Sequence, residues 1–368
     1  MRRVLTMALG LVLAITVAGC NPNRGGDEGG GGQGGAADTD VTLMLPFQKG
    51  LSFWSTMLPE ELGYYKAEGL TVKVEPSGGG TEALQQLLTG NVDMAMVAPA
   101  VILEAVAQGK QVTVPYTDKN KGLFSIVVPE DSPIRTPADL RGKTVGVTDF
   151  GSGEMPIVRS ITGKAGLKEG EDVKFLAIGE GNPSVAKAIR DGKVAAYGAS
   201  WSDFIPLMGL GMKFREVTYP EIQALPSEVL AVRPEYFQAN QATVEKVARS
   251  MAKASYFVTQ YPDKWLGLLK KLAPQDVTDP DLARLGMDVW LDIAAYPKEG
   301  GEYVFGRNDP VAWQTLERIA RESGGDNAAQ RGEVDVKTVL NDTLTEKINQ
   351  FDRDQVKQQG AELAVTFP

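Results

Sequence analysis

The chain has 368 residues, of which 43% are apolar, so it is long enough to bury the cores of two globular domains. Its net charge is −9 and it has no basic run, which argues against nucleic acid as a partner. It contains one cysteine and no histidine, which excludes disulfides within the chain, cysteine metal sites and catalytic triads that need histidine.

The first forty residues have the pattern of an export signal followed by a tether. Two arginines precede an apolar run over residues 4–17, which is short for a membrane span. The tetrapeptide Val17-Ala-Gly-Cys20 follows and looks like a bacterial lipobox, in which the cysteine is lipidated and becomes the first residue. We therefore predict a signal peptide over residues 1–19, lipidation at Cys20 and a flexible glycine-rich tether over residues 20–40.

The folded part begins with alternating strands and helices. An apolar strand over residues 41–45 is followed by a helix that carries Trp54. Residues 70–74 alternate as a strand does and end at a glycine-rich turn. Thr81 is the expected N-cap of the next helix, which leads to a strand within residues 91–99. This order is typical of a parallel sheet with helices on its faces.

The same order of elements recurs 102 residues further along the chain. The corresponding strands are residues 144–148, 173–178 and 194–200, and the turn at 179–182 corresponds to the turn at 77–80. Few residues are identical, so the repeat is one of pattern. Two such copies predict an α/β protein with two doubly wound lobes and a ligand between the carboxyl ends of their strands.

The rest of the chain connects the lobes and adds helices. The predicted crossings between the lobes are residues 123–128 and 214–233. We place the first lobe at residues 41–125 and 225–368, and the second at residues 126–224. Helices expected to pack on the first lobe are predicted over residues 244–261, 263–272, 281–295, 312–323 and 336–351.

Three ordered motifs carry a resemblance to a known family: Glu61-Leu-Gly-Tyr-Tyr-Lys-Ala-Glu-Gly-Leu70, Leu88-Thr-Gly-Asn-Val-Asp93 and Asp139-Leu-Arg-Gly-Lys-Thr-Val-Gly-Val147. They resemble the substrate-binding proteins of ABC importers, in the family named after thiamine-pyrimidine biosynthesis proteins, which also covers sulfonate, taurine and nitrate binders. The resemblance covers roughly residues 41–320. It implies a type II periplasmic-binding-protein fold, with two lobes joined by two crossing strands.

The resemblance also implies partners and a location. We expect a monomer outside the cytoplasm, held to the cell membrane through Cys20, that delivers a small solute to a permease driven by an ATPase. The family's pyrimidine synthases are understood to consume an active-site histidine, which this chain lacks. We therefore expect a binding protein rather than an enzyme, with no cofactor and no metal.

The loops that follow equivalent strands are the predicted walls of the ligand site. In the first lobe these are Phe47, Gln48, Trp54, Gly79, Gly80, Thr81, Ala98 and Tyr116, and in the second Asp149, Phe150, Ser152, Gly153, Glu154, Asn182, Ser200, Trp201 and Asp203. Glycine-rich turns leave N–H groups free at helix N-termini, which suits an anionic or carbonyl-bearing ligand. Trp54, Phe150 and Trp201 could sandwich a flat ring, and Tyr116 is a further aromatic candidate.

The charges of these loops favour one class of solute. Glu82, Asp149, Glu154 and Asp203 lie there, with Lys49 as the single basic residue. Four carboxylates oppose a buried sulfonate or nitrate, whereas they suit a ligand that offers N–H or O–H donors. We therefore predict a small planar heteroaromatic solute, with Asp149 and Asp203 in direct contact.

One departure from the family weakens the choice of a pyrimidine within that class. Thiamine-precursor binders usually show Trp-x-Pro-Asn and a histidine after the first strand, whereas this chain has Met44-Leu-Pro-Phe-Gln48, with Phe47 in place of asparagine. A riboflavin-like solute therefore fits at least as well as a pyrimidine or thiamine precursor.

Other interpretations stay open at this point. The solute could be an organic anion such as an aliphatic sulfonate, taurine or nitrate. The chain could instead be an exported enzyme with a carboxylate or lysine base, or a sensory protein that docks on a membrane kinase when loaded. The carboxylates could also cap helices and the aromatic residues could belong to the core.

Overall fold

Two five-stranded sheets and a short hairpin organise the part of the chain that the computed structural model describes, residues 39–150, 153–322 and 332–368. Its strands are β1 (Thr39–Leu45), β2 (Leu70–Pro76), β3 (Met94–Val97), β4 (Thr113–Lys119), β5 (Phe124–Pro129), β6 (Thr144–Val147), β7 (Lys174–Ala177), β8 (Ala196–Ser200), β9 (Phe214–Glu216), β10 (Glu228–Val232), β11 (Lys298–Glu299) and β12 (Glu302–Tyr303). The predicted signal peptide, Cys20 and Ser152 lie outside the described residues.

Helices flank both sheets. In the same residues they are α1 (Trp54–Glu61), α2 (Tyr64–Ala67), α3 (Gly80–Leu88), α4 (Pro99–Ala107), α5 (Met155–Lys164), α6 (Pro183–Arg190), α7 (Trp201–Gly209), α8 (Pro220–Gln223), α9 (Pro234–Ala239), α10 (Gln241–Gln260), α11 (Pro262–Leu272), α12 (Pro280–Ala294), α13 (Pro310–Glu322), α14 (Thr345–Ile348) and α15 (Arg353–Glu362). Many have proline in their first turn, where its fixed φ and missing N–H are tolerated. None of these described helices is long and apolar enough to cross a membrane.

The two sheets have the same topology. The first sheet has the order β2-β1-β3-β10-β4, and the second has the order β7-β6-β8-β5-β9. In each sheet four strands run in the same direction, while one strand, β10 or β5, runs antiparallel to both of its neighbours. This arrangement confirms the predicted fold class of two doubly wound α/β units.

The sequence repeat is visible in the placement of the elements. Helix α3 begins at Gly80 and α6 at Pro183, and β3 begins at Met94 and β8 at Ala196, so equivalent elements start about one hundred residues apart, within a residue or so of the predicted shift. The central strand β3 is buried along its whole length, as expected for a parallel strand covered by helices on both faces. The repeat therefore places equivalent loops at equivalent sheet edges.

Three details of the predicted elements are wrong. Strand β1 begins at Thr39, so the last two residues assigned to the tether belong to the sheet. Tyr116 lies inside β4 and does not follow it. The helix predicted over residues 336–351 is replaced by a 3-10 turn at Val336–Thr338 and the short helix α14, while α15 follows.

Tertiary pairing explains the loss of that helix. The N–H of Val114 donates to the carbonyl of Val339 at 2.8 Å, and the N–H of Asn341 donates to the carbonyl of Val114 at 3.0 Å. Residues 339–341 therefore pair with the edge of β4, where an α-helix cannot continue because its own hydrogen bonds would compete for the same groups. The apolar residues of this segment are spaced as in a helix because they are buried, although the backbone that carries them is not a continuous helix.

The helices of the C-terminal half pack on both sheets, which differs from the prediction that they cover the first lobe. Helix α10 packs on α1 beside the first sheet, but α12 also contacts α7 and α13 contacts both α4 and α5. Trp313 of α13 belongs to one buried cluster with Val97 of the first sheet and Val145 of the second. The division into lobes at residues 125 and 225 stays a prediction.

Candidate functional site

The carboxyl edges of the two sheets bring the predicted loops together. In the first sheet β1, β2 and β3 end at this edge, and the antiparallel β10 begins there with Glu228 opposite Lys119 of β4. In the second sheet β6, β7 and β8 end at the corresponding edge, and β5 begins there with Phe124 opposite Ser200. Both crossings leave one edge and enter the other, so both edges border the same crevice, which is where open α/β sheets bind ligands.

Helix N-termini at the first edge have no side-chain caps. Gly79 is the N-cap of α3 and Ala98 that of α4, and neither supplies a capping hydrogen bond. Thr81 is exposed and lies inside the helix, so its predicted role as N-cap is wrong. The turn is held by the Ser77 hydroxyl, which donates to the Leu45 carbonyl at 2.9 Å. The first-turn amides of α3 are left for solvent or a ligand, whereas α4 begins with Pro99, which has no N–H, and its Val101 N–H donates to the Ala98 carbonyl at 3.0 Å.

The equivalent N-termini at the second edge are capped by the protein's own side chains. Asn182 accepts from the N–H groups of Ser184 at 2.9 Å and Val185 at 3.3 Å. Asp203 accepts from the Ser200 hydroxyl at 2.5 Å and from the Gly181 N–H at 3.0 Å. Both side chains therefore have local partners, and for Asp203 this is the helix-capping alternative considered for the carboxylates.

Gly181 shows how closely the second-edge turn approaches α7. A Cβ atom at this position would overlap the carbonyl of Asp203, so the turn requires glycine. The close approach and the Asp203 hydrogen bond fix the turn to the start of α7. The contact of Asp203 with a solute stays a prediction, and the same residue has an evident structural role.

The remaining residues of the loop after β6 divide between surface and interior. Asp149, Phe150 and Gly153 are exposed, whereas Glu154 is buried. The Glu154 carboxylate accepts from the N–H of Thr148 at 3.1 Å and also from the Thr148 hydroxyl. Glu154 therefore braces the loop from inside and leaves Asp149 at its surface.

Exposed aromatic rings occur once at each edge. Phe47, two residues beyond β1, is 59% exposed, and Phe150, three residues beyond β6, is 50% exposed. They are the aromatic residues among the exposed large apolar side chains of the described residues. Phe124 adds a third ring, which packs against Gly153 in the same loop and which the sequence did not suggest as a site residue. Gln48 is exposed beside Phe47.

The other aromatic candidates belong wholly or partly to the core. Trp54 is fully buried, and its indole N–H donates to the Tyr296 hydroxyl at 3.1 Å. Tyr116 is also fully buried. Trp201 is half-buried and packs edge to face on Phe204, with ring centroids 5.4 Å apart. Because Trp54 and Tyr116 have no exposed surface, a sandwich of Trp54, Phe150 and Trp201 has no support in this geometry.

A buried ionic cluster at the first edge was missed by the sequence reasoning. Asp118 and Lys119 at the end of β4 are fully buried and form an ion pair with each other. The Lys119 ammonium also lies 3.6 Å from the Glu228 carboxylate and 4.1 Å from the centroid of the Trp54 ring. Ser55 donates to Asp118 at 3.0 Å. We call Asp118, Lys119 and Glu228 the edge triad.

A β-bulge creates the edge triad. Glu228 pairs with Lys119 while the next residue, Val229, pairs with Thr117, so Asp118 is the extra residue on β4. Adjacent strand residues normally point to opposite faces, and a bulge re-aims one of them, which here brings two charged side chains together. The only sequence signal was a pair of charges directly before a predicted crossing.

The charge of the edge triad depends on Glu228. Burial raises the pKa of Glu228 to about 8, Lys119 opposes that rise and the carboxylate of Asp118 adds to it. Asp118 Oδ1 is buried and makes no hydrogen bond within the described residues. One ammonium therefore faces two carboxyl groups, and the second carboxyl holds a proton near neutral pH.

Metal chemistry has no support in the residues described. They contain no group of three or more carboxylate, cysteine or histidine side chains that could hold a metal ion.

Comparison with known proteins assigns the chain to a family. The sequence model of the family described as NMT1/THI5 like matches residues 53–265, more than half of the chain. The chain belongs to the NMT1/THI5-like family. Its riboflavin-binding relative RibY from Chloroflexus aurantiacus is 23% identical over 290 residues, which cover 77% of this chain and 81% of the relative.

Solved structures support the same fold. The periplasmic aliphatic sulphonate binding protein SsuA from Escherichia coli aligns with a TM-score of 0.60 and 18% identity, over 81% of this chain and 91% of its own. The periplasmic nitrate-binding protein NrtA from Synechocystis PCC 6803 aligns with a TM-score of 0.54 and 12% identity, over 89% and 98%. These likenesses confirm the periplasmic-binding-protein fold that the sequence motifs implied.

Proposed function

We propose that this member of the NMT1/THI5-like family is the extracytoplasmic solute-binding protein of an ABC importer, anchored to the cell membrane at Cys20. It captures a small planar heteroaromatic molecule between its two lobes and delivers it to a permease driven by an ATPase. The binding-protein fold and the name of the relative RibY support the receptor role and this class of solute.

The contrast between the two sheet edges carries the choice of solute. Each edge exposes a phenylalanine, Phe47 or Phe150, and an exposed ring is stabilised when it stacks on a flat apolar surface. The first edge also offers uncapped helix amides and the edge triad, whereas the second-edge helices α6 and α7 are capped by their own side chains. A flat ring with polar atoms along one side matches both edges at once.

Closure of the two lobes over the solute is the expected mechanism. Rings at opposite edges can contact the two faces of one solute only when the edges approach each other. A solute that contacts both edges binds the closed form more tightly than the open form, so it shifts the equilibrium toward closure. The closed form then distinguishes the loaded protein from the empty one.

An organic anion is the second candidate. The uncapped amides of α3 favour it, because helix N-termini stabilise negative charge. The names of SsuA and NrtA agree with it. Against it stand exposed Asp149 at one edge and the edge triad at the other, where two carboxyls face one ammonium.

A thermal-shift screen on residues 20–368 tests the proposal. The panel contains riboflavin, the aminopyrimidine of thiamine, aliphatic sulfonates, taurine and nitrate. A ligand at about a thousand times its dissociation constant adds roughly 4 kcal/mol of stability, which is an easily seen rise in melting temperature. Stabilisation by riboflavin or the aminopyrimidine supports the proposal, and stabilisation by the anions alone replaces it with the second candidate.

The exposed rings provide the variants for the same screen. Phe47→Ala and Phe150→Ala should each weaken binding of the stabilising aromatic ligand by about tenfold, because each removes one stacking contact. Val311→Ala is the matched control, since Val311 is an exposed apolar side chain at the start of α13. Recovery of the ligand chemically changed would favour an exported enzyme instead.

A further inference from the structure

The edge triad lies inside the proposed solute site. Val229 pairs with Val97, so Glu228 lies on the neighbouring strand beside Ala98, at the point where α4 begins. Of the three residues, Asp118 and Lys119 are sealed from solvent, while the Glu228 side chain is 14% exposed. Glu228 is therefore the one member that a solute in the crevice can touch without rearrangement of the sheet.

The surroundings of Glu228 keep its position well defined. Lys119 holds it from β4, and the Ser227 N–H donates to the Lys119 carbonyl at 3.0 Å. Lys119 in turn lies over the Trp54 ring, and the Trp54 N–H is bonded to Tyr296. A buried carboxyl with neighbours fixed on several sides suits recognition, since little conformational entropy is lost when a ligand binds.

We propose that Glu228 is a solute-contacting residue, whose neutral carboxyl forms a two-point hydrogen bond with an N–H/C=O edge of the heteroaromatic solute, while Lys119 and Asp118 position it. This inference rests on the proposed function. A neutral carboxyl donates through its O–H and accepts through its C=O, so it matches an imide or lactam edge, where an N–H and a carbonyl are adjacent. A carboxylate only accepts and would leave the solute carbonyl unpaired.

The charged and titratable groups around Glu228 explain why it stays neutral. Lys119 favours its ionised form, but burial and the Asp118 carboxylate outweigh that and raise its pKa to about 8. The hydroxyls of Tyr65, Tyr116 and Tyr296 surround Asp118 and stay protonated, because burial raises the pKa of each well above its usual value. Glu228 therefore keeps its proton near neutral pH.

Titration of riboflavin and of 3-methylriboflavin into residues 20–368 tests this role. Riboflavin carries an imide edge, and methylation removes its N–H donor. The wild-type chain should bind riboflavin about tenfold more tightly than the methylated compound. Between about pH 7 and pH 9 its affinity for riboflavin should fall about tenfold, because ionisation of Glu228 removes the donor.

Three variants separate recognition from structure. Glu228→Gln keeps one donor and one acceptor, so it should bind riboflavin as the wild type does at about pH 7 and lose the pH dependence. Glu228→Leu removes both and should bind riboflavin about tenfold more weakly, with no preference over 3-methylriboflavin. Glu130→Gln is the control, because Glu130 is exposed directly after β5 at the opposite end of that strand.

The outcomes distinguish this inference from the proposed function. Wild-type discrimination that survives in Glu228→Leu, or a pH dependence that persists in Glu228→Gln, overturns the role of Glu228 and leaves the receptor intact. If riboflavin fails to bind but the aminopyrimidine binds, the same variants are titrated with the aminopyrimidine, whose ring N and amino group also form a two-point edge. If neither binds to the wild type, the proposed function fails and this inference fails with it.

Discussion

At the residue scale, the edge triad shows what local sequence can and cannot reveal. Asp118 and Lys119 are adjacent, and in a regular strand they would point to opposite faces. They meet because Asp118 bulges out of the pairing with β10, which lies more than a hundred residues further along the chain. Neither segment alone indicates this long-range strand pairing, so the contacts within the edge triad could not be predicted from the sequence.

The buried ammonium of Lys119 should be important for stability. Replacement of Lys119 by methionine leaves two carboxyls buried without a counter-ion, which typically costs about 3–5 kcal/mol. Adding Glu228→Gln should not recover that loss at neutral pH, because Glu228 is already neutral there and Asp118 still lacks its counter-ion. Urea unfolding at neutral pH measures both effects.

The exposed Lys110 supplies the control for this experiment. Lys110→Met should change the free energy of unfolding by less than about 0.5 kcal/mol, since surface substitutions rarely do more. Equal effects of Lys110→Met and Lys119→Met would show that the ion pairs of Lys119 do not contribute to stability.

The predicted site residues also differ in how far the sequence alone could locate them. Phe47 and Phe150 could be placed at the crevice from sequence, because each follows a strand end directly and the repeat aligns the two strands. Trp54 could not be assigned, because an aromatic residue on an amphipathic helix can face either the core or a ligand. The ring lies under Lys119 and bonds to Tyr296, and both partners come from distant parts of the sequence.

At the element scale, local sequence signals mark where some helices start, but they do not reveal where tertiary pairing prevents a helix. Pro156 and Pro183 lie in the first turns of α5 and α6, a position that proline favours through its own local geometry. The helix predicted over residues 336–351 failed because its backbone groups pair with β4. Periodicity reports which side chains are buried, and it does not report which backbone partner is nearest.

The caps of equivalent helices lead to a matched prediction. Asn182→Ala should destabilise the protein by about 1 kcal/mol, since Asn182 accepts from two first-turn amides of α6. Thr81→Ala, in the equivalent first turn of α3, should have almost no effect, because Thr81 is exposed and makes no capping bond. Chemical denaturation of the two variants compares them directly, and a larger loss for Thr81→Ala would contradict the assignment of caps.

The uncapped first turn of α3 also leads to a prediction about ligand binding. If the first-turn amides of α3 bind the solute, ligands should stabilise Asn182→Ala and the wild type by the same increment. Adding a negative side chain at the first edge, as in Thr81→Asp, should reduce that increment, because a carboxylate in the first turn competes for the same amides.

At the scale of the whole molecule, two helices connect the sheets in addition to the crossing strands. Helix α13 contacts α4 beside the first sheet and α5 beside the second. Helix α12 lies between α7 and the segment Leu51–Phe53, and its C-terminal carbonyls at Ile293 and Ala294 accept from residues 121 and 120, which connect β4 to β5. Movement of one sheet relative to the other must therefore change the packing of α12 and α13.

Gly286 marks a place where α12 is packed closely between the two sides. A Cβ atom there would lie 3.0 Å from Leu51 on the side of the first sheet and 3.8 Å from Ile205 of α7. Gly286→Leu should therefore push α7 away from Leu51, increase the radius of gyration measured by X-ray scattering and weaken solute binding by about tenfold, because closure must work against the larger side chain.

Gly163→Leu provides the comparison that isolates this contact. Gly163 is exposed on α5 and a Cβ atom there would meet nothing within 4 Å, so both variants gain the same helix propensity but only one inserts a side chain between the sheets. If the two variants gave the same scattering curves and affinities, α12 would move together with one sheet and closure would not have to repack it. A larger radius for Gly286→Leu alone would identify α12 as an element that closure must repack, and would make the C-terminal helices part of the binding mechanism.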